Sequence, residues 1–181
     1  MKRYDACILI VDDDPNDRLL IERAFRKVGV KTSIHTVGSV AEAMAYIKGL
    51  GKYADREAFR YPTFIMTDLE MPLADGLDLL RFVKENTEGG VIPTVVFSSS
   101  TDPEDVRKCY LLGASSYHVK PTTFEALRSQ LQVLHAYWTT CFFPETAVVD
   151  GQSCAPRSTA PRISGHGDQP VVHDSAFPMP S

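Results

Sequence analysis

The chain has 181 residues and a mass of 20.1 kDa, room for one domain and an appendage. With 44% hydrophobic and 23% charged residues it is neither collagenous nor disordered as a whole, and a domain of this size buries a core without disulfide or metal staples. A formal net charge of −4, from 19 basic and 23 acidic residues, argues against a basic face for nucleic acid, and no apolar run reaches the length of a membrane span.

The predicted elements alternate in period along the chain. Cys7–Val11 is a continuous apolar run, the pattern of a strand buried on both faces. Asp14 followed by Pro15 reads as a helix N-cap with proline at the first helical position. Leu20, Ala24 and Val28 mark the buried stripe of that helix, and Gly29 stops it. Lys31–Thr36 is a short strand. Ser39 with Glu42 three residues on is a capping-box pattern that opens a second helix through Lys48. A long Gly49–Tyr61 connection leads to an apolar strand at Thr63–Thr67, and Leu77, Leu80 and Val83 mark a third helix. Thr94–Phe97 is the fourth strand; Asp102-Pro103 opens a helix that Gly113 closes. Ser116–Val119 is the fifth strand. Thr122 with Glu125 opens a fifth helix with Phe124, Leu127, Leu131, Leu134 and Trp138 on one stripe. In residues 151–181, 13 of 31 are Gly, Pro or Ser, so this segment is predicted to be a disordered tail. The organisation read from the sequence is a domain over residues 1–140, an apolar extension over 141–150 and the tail over 151–181.

Five successive βα units imply an α/β fold, a doubly wound parallel sheet with helices on both faces. Ligands of such sheets sit beyond the carboxyl ends of the strands. There the sequence places Asp12, Asp13 and Asp14 after strand one, Asp68 and Glu70 after strand three, Ser98 after strand four and Lys120 after strand five. Converging carboxylates repel one another, and a hard divalent cation such as Mg²⁺ relieves that repulsion with oxygen-only ligands. A carboxylate in such a site can attack phosphorus to form an acyl phosphate, while a lysine pairs with the phosphoryl oxygens and a serine donates a further hydrogen bond. Taken singly, each residue has a plainer reading: Asp14 a helix cap, Glu70 a solvent-facing loop acid, His118 a half-buried, hydrogen-bonded strand residue, and Cys7 and Cys109 packing residues. Their common phase at one sheet edge argues for a shared site.

The segments ILIVDDDPND (8–17), FIMTDLEMPLADGLDLL (64–80), IPTVVFSSS (92–100) and GASSYHVKP (113–121) resemble a response-regulator receiver domain of the CheY-like kind, over roughly residues 5–138. The resemblance implies the flavodoxin-like (βα)5 fold with strand order 2-1-3-4-5. It implies Asp68 as phosphoacceptor and Asp12 and Asp13 as the acidic pair, with Asp13 a direct Mg²⁺ ligand. The Glu70 backbone carbonyl would join the metal shell, Ser98 and Tyr117 would be the switch pair, and Lys120 the site lysine. It also implies a cis Lys120–Pro121 bond. The DDDPND start, the long connection after helix two and the Tyr137-Trp138 ending with Phe142-Phe143-Pro144 resemble single-domain regulators paired with phytochrome-type histidine kinases.

The expected function is therefore a signalling protein rather than an enzyme, with intrinsic autophosphatase chemistry. It takes phosphate from a sensor histidine kinase, such as a bacteriophytochrome, and passes the signal to a protein target or a phosphotransfer protein. No nucleic acid or membrane partner is expected. Two alternatives are an aspartate-nucleophile phosphatase of the haloacid-dehalogenase type, using Asp12 with Asp14, and a phosphate-independent adaptor. The cysteines at 7, 109, 141 and 154 show no CxxC or zinc spacing, and Ala6–Val11 is too short for a signal peptide; a cytoplasmic location is expected. The aromatic residues Tyr137, Trp138, Phe142 and Phe143 predict an exposed apolar patch. A homodimer is expected, through the face of the fourth helix, fifth strand and fifth helix that receiver domains commonly use.

Overall fold

In the computed structural model the described residues are 7–86 and 92–141. The 151–181 tail and, apart from Cys141, the 141–150 extension lie outside them, as do Phe142 and Phe143. Five strands, β1 (Cys7–Val11), β2 (Ser33–Val37), β3 (Phe64–Thr67), β4 (Thr94–Ser98) and β5 (Ser116–Val119), alternate with five helices. The helices are α1 (Pro15–Lys27), α2 (Val40–Lys48), α3 (Gly76–Asn86), α4 (Pro103–Leu111) and α5 (Phe124–Thr140). The sheet is wholly parallel in the order β2-β1-β3-β4-β5, the expected flavodoxin-like arrangement.

The strand period divides the core. Ile8 and Ile10 of β1 point to the α1 and α5 side, where they meet Ile21, Phe25, Leu127 and Leu131. Cys7, Leu9 and Val11 point to the other face, against Val40, Ile47, Leu79 and Phe82. A third cluster, Leu69, Leu80, Val96, Cys109 and Ala114, packs under α4. The outer strands are less buried than the inner three, as their polar content requires: SIHTV in β2 and SYHV in β5.

The helix signals mostly hold. Asp14 caps α1, its side chain accepting from the Asn16 N–H at 2.8 Å, and Gly29 and Gly113 take positive φ after α1 and α4. In α2 the Glu42 N–H donates to Ser39 Oγ at 3.2 Å, but the Glu42 carboxylate reaches back to Gly38 N–H rather than to that of Ser39. Two expectations shift. The cap of α5 is Thr123, not Thr122: its hydroxyl accepts from the Ala126 N–H at 3.2 Å. The buried stripe of α1 is Ile21, Ala24 and Phe25, while Leu20 is 39% exposed. Both stripes satisfy helical spacing; the contact between α1 and α5 selects one, leaving Leu20 at the rim beside Phe124.

Trp138 does not join an exposed patch. Its ring packs edge-on against Phe64 at 5.2 Å in the α1/α5 core, whereas Tyr137 is 60% exposed. Cys7 and Cys109 are fully buried, as expected of packing residues. His118 is half-buried, its ring meeting Ser116 Oγ at 3.1 Å and Gln130 Nε2 at 3.4 Å; burial pushes its pKa below the ordinary histidine value. No helix among the described residues is long and apolar enough to cross a membrane.

Candidate functional site

The sheet register carries the expected residues to one edge. Val11 lies level with Thr67 and Val37, and Ser98 with Val119. One residue further along, backbone bonds extend the ladder: Asp12 N–H to Val37 O (3.2 Å), Asp68 N–H to Val11 O (2.8 Å) and Lys120 N–H to Ser98 O (2.8 Å). Asp12, Asp68 and Lys120 are thus presented by rigid strand ends rather than by free loops. Lys120 starts on the outermost strand, two strand spacings (roughly 9–10 Å) from β3. Its long side chain spans that distance to meet Asp68 Oδ2 at 2.8 Å and Asp12 Oδ2 at 2.7 Å.

The carboxylates converge. Ligand oxygens of Asp12, Asp13 and Asp68 all lie within 4.8 Å of one another. Asp12 and Asp68 are buried, whereas Asp13 is exposed, so the cluster opens to solvent on the Asp13 side. Burial raises the Asp12 pKa, and the hydrogen bond from Lys120 opposes that rise without cancelling it. For Lys120 burial would lower the pKa, but its bonds to Asp12, Asp17 and Asp68 outweigh burial and hold the ammonium firmly charged. Asp68 Oδ1 accepts from the Leu69 N–H at 2.6 Å and more weakly from the Glu70 N–H at 3.4 Å, which fixes the carboxylate plane.

This donor set fits a hard divalent cation: three carboxylates, no sulfur or imidazole, and an open side that leaves room for water ligands. The Glu70 side chain is exposed and outside the carboxylate cluster. Ser98 is fully buried at the end of β4, its Oγ accepting from the Ser100 N–H at 3.3 Å. The Tyr117 hydroxyl donates to the Ser100 carbonyl at 2.9 Å, and the ring packs against the cluster beneath α4. The ring therefore already lies against the β4–α4 loop. The Lys120–Pro121 bond is not cis; no cis peptide occurs among the described residues. Proline narrows the trans preference to about 0.5–1 kcal/mol, so its presence in the sequence does not set the isomer.

Three participants escaped the sequence reading. Asp17, in the first turn of α1, is a third carboxylate on Lys120 at 2.8 Å. Arg18 donates from Nη1 to the backbone carbonyls of Asp12 and Asp13, holding the loop that carries the acidic pair. Gly38 leaves the space that guanidinium occupies: a Cβ there would sit 3.3 Å from Arg18 Nη1. For Asp17 and Arg18 the legible signal was their place at the start of the helix after a site strand, but helix phase alone does not say which of those side chains turns inward.

Gly76 is a further constraint. Its N–H donates to Leu69 O at 2.9 Å, and a Cβ on it would lie 2.4 Å from the Asp68 carbonyl oxygen and 3.0 Å from Leu69 Cα. Both obstacles are backbone, so α3 must retreat or the Asp68 loop must move. Gly76→Ala is expected to cost about 2–3 kcal/mol in urea unfolding. Unchanged unfolding would mean the loop yields freely.

A profile of the response regulator receiver domain matches residues 8–132 of this chain. The "Probable methanogenesis regulatory protein FilR2" of Methanothrix harundinacea is 31% identical over 131 residues, covering 72% of this chain and 82% of that protein. "Response regulator Rcp1" of Synechocystis sp. is 27% identical over 131 residues, 72% of this chain and 87% of that one. The crystal structure of the Mn²⁺-bound form of response regulator Rcp1 aligns with a TM-score of 0.67 at 27% identity, over 77% of this chain and 99% of that chain. The phosphorylated cyanobacterial phytochrome response regulator RcpA aligns with a TM-score of 0.69 at 29% identity, over 77% and 98%.

Proposed function

This chain belongs to the response regulator receiver domain family, and we propose from that premise that it accepts phosphate on Asp68 from a histidine kinase of the phytochrome type. The observation that carries the reading is the convergence of Asp12, Asp13 and Asp68 within 4.8 Å with Lys120 bonded to Asp68. An Asp68 carboxylate oxygen attacks the phosphorus of the donor's phosphohistidine. The P–N bond breaks, its electron pair returns to the imidazole, which takes up a proton, and an acyl phosphate remains on Asp68. In autodephosphorylation water attacks the phosphorus, the P–O bond to Asp68 breaks with its electron pair returning to the carboxylate, and inorganic phosphate departs with the water oxygen as a proton is released. Mg²⁺ held by Asp12, Asp13, Asp68 and the Glu70 carbonyl would supply neutralisation of the phosphoryl charge. Lys120 pairs with a phosphoryl oxygen as a compact positive charge.

Ser98, at the end of β4 beside Asp68's strand, is the hydroxyl that would bond the phosphoryl group. Its movement would be transmitted through the Ser100 segment, which Tyr117 already grips. The signal then passes by protein contact to a downstream target or phosphotransfer protein. Asp14 is engaged as the α1 cap, which speaks for Asp68 over a phosphatase built on Asp12 and Asp14. The test is transfer from a radiolabelled, autophosphorylated phytochrome-type kinase. Label should move to this chain in Mg²⁺ and not in excess chelator; label that moves equally in chelator, or settles on Asp12, would overturn the reading.

Self-association through the α4-β5-α5 face completes the proposal. Tyr110, Leu111, Val119, Val133 and Tyr137 are 43–71% exposed, an apolar set on the two helices and edge strand of that face. Light scattering should give a dimer that Leu111→Lys with Val133→Lys converts to a monomer; a dimer that survives both charges would move the interface elsewhere.

A further inference from the structure

We propose that Asp17 is a positioning residue for Lys120, holding its ammonium at the site when a divalent cation takes the oxygens of Asp12 and Asp68. The inference rests on the acceptor reading above and adds a residue to it. A lysine ammonium has three N–H donors and no acceptor. Here all three are used, at 2.7 Å to Asp12 Oδ2, 2.8 Å to Asp17 Oδ2 and 2.8 Å to Asp68 Oδ2. These partners are not equivalent. Asp12 and Asp68 share a cation-sized cluster with Asp13, and Asp17 stands outside it.

A cation entering that cluster competes with the ammonium for the same oxygens and repels it. A lysine held only by Asp12 and Asp68 would be displaced as the cation arrives, at the stage when a phosphoryl oxygen needs it. Asp17 is the one partner the cation does not contest. It projects from the first turn of α1, behind Asp14 and Pro15, so a helix rather than the β1–α1 loop fixes its place. Its side chain is 36% exposed, against 2% for Asp12 and 10% for Asp68, so it grips the lysine from the solvent side. The plainer role of a first-turn acid is to complement the helix dipole. Asp14 serves that end already and makes no bond to Lys120, which supplies the control.

Spectra of the ¹⁵N-labelled full chain, tuned to lysine ammonium groups, register an NH₃⁺ only where its hydrogens are held against exchange; Lys120→Met identifies the signal. The wild type should keep the Lys120 signal with and without Mg²⁺. Asp17→Asn should keep it without Mg²⁺ and lose it when Mg²⁺ is added, and loading from acetyl phosphate should slow about tenfold. Asp17→Glu should restore both readouts. Asp14→Asn removes the same charge, keeps the cap, and should behave as wild type. A Lys120 signal that persists in Asp17→Asn with Mg²⁺, or an equal loss in Asp14→Asn, overturns the proposal. If Mg²⁺ leaves the wild-type amides of residues 12, 13 and 68 unmoved, the cation reading fails first and the role of Asp17 falls with it.

Discussion

Acetyl phosphate and Mg²⁺ should leave a phosphoryl adduct on the wild-type chain, and Asp68→Asn should remove it. The substitution is nearly isosteric. Its oxygen can still accept the Leu69 N–H that now bonds Asp68 Oδ1 at 2.6 Å. What changes is the other position: an amide NH₂ replaces the oxygen that meets Lys120 at 2.8 Å. The amide is no nucleophile, and as a donor it faces another donor, so the ammonium turns to Asp12 and Asp17. Removing one charge from a crowded carboxylate cluster offsets the lost bond, and the fold should stay within about 1 kcal/mol of wild type. Intact mass decides the matter: an undiminished adduct would put the acceptor elsewhere.

Lys120→Met should have the largest effect on stability, and Mg²⁺ should reverse much of it. Methionine keeps an apolar stem but leaves Asp12 and Asp68, 2% and 10% exposed at their side chains, facing each other without a cation. Stranding buried charge in this way costs on the order of 3 kcal/mol. The pH dependence follows in sign. Burial already holds the Asp12 pKa above its ordinary value, and loss of Lys120 removes the main opposing influence. A carboxyl whose folded pKa exceeds its unfolded one favours the fold when protonated, and that contribution fades as pH rises through the folded value. The deficit should therefore be greatest near neutral pH and narrow in acid. Since the ammonium no longer competes, Mg²⁺ should raise the midpoint of urea unfolding more in the variant than in wild type. A variant as stable as wild type without Mg²⁺ would show that the lysine does not neutralise the cluster.

Much of this was legible because strand and helix periods differ. An apolar run such as Cys7–Val11 declares a strand buried on both faces, and once five such runs alternate with helices, the residue after each strand falls at one edge. Asp12, Asp68, Ser98 and Lys120 needed no more than that. Asp17 was not legible, because it reaches the site through a helix whose rotation is set by packing: Ile21 and Phe25 turn inward against α5, and that same rotation points Asp17 at Lys120. Trp138 was misread for a similar reason. As a member of the α5 stripe it belonged to the core, yet grouped with its aromatic neighbours it counted toward an exposed patch; only Phe64 across the interface decided between them.

By itself, the sequence determined the order of elements, the residues at the strand ends and the caps of α1, α2 and α4, because these depend on neighbours within a turn or a strand. The tertiary structure alone decided which face of α1 is buried, that Lys120 binds three carboxylates, and that Gly76 must lack a Cβ. Those facts depend on atoms brought within 3–4 Å from distant parts of the chain. Local periodicity is blind to such contacts, because helical spacing offers several stripes and close packing accepts one.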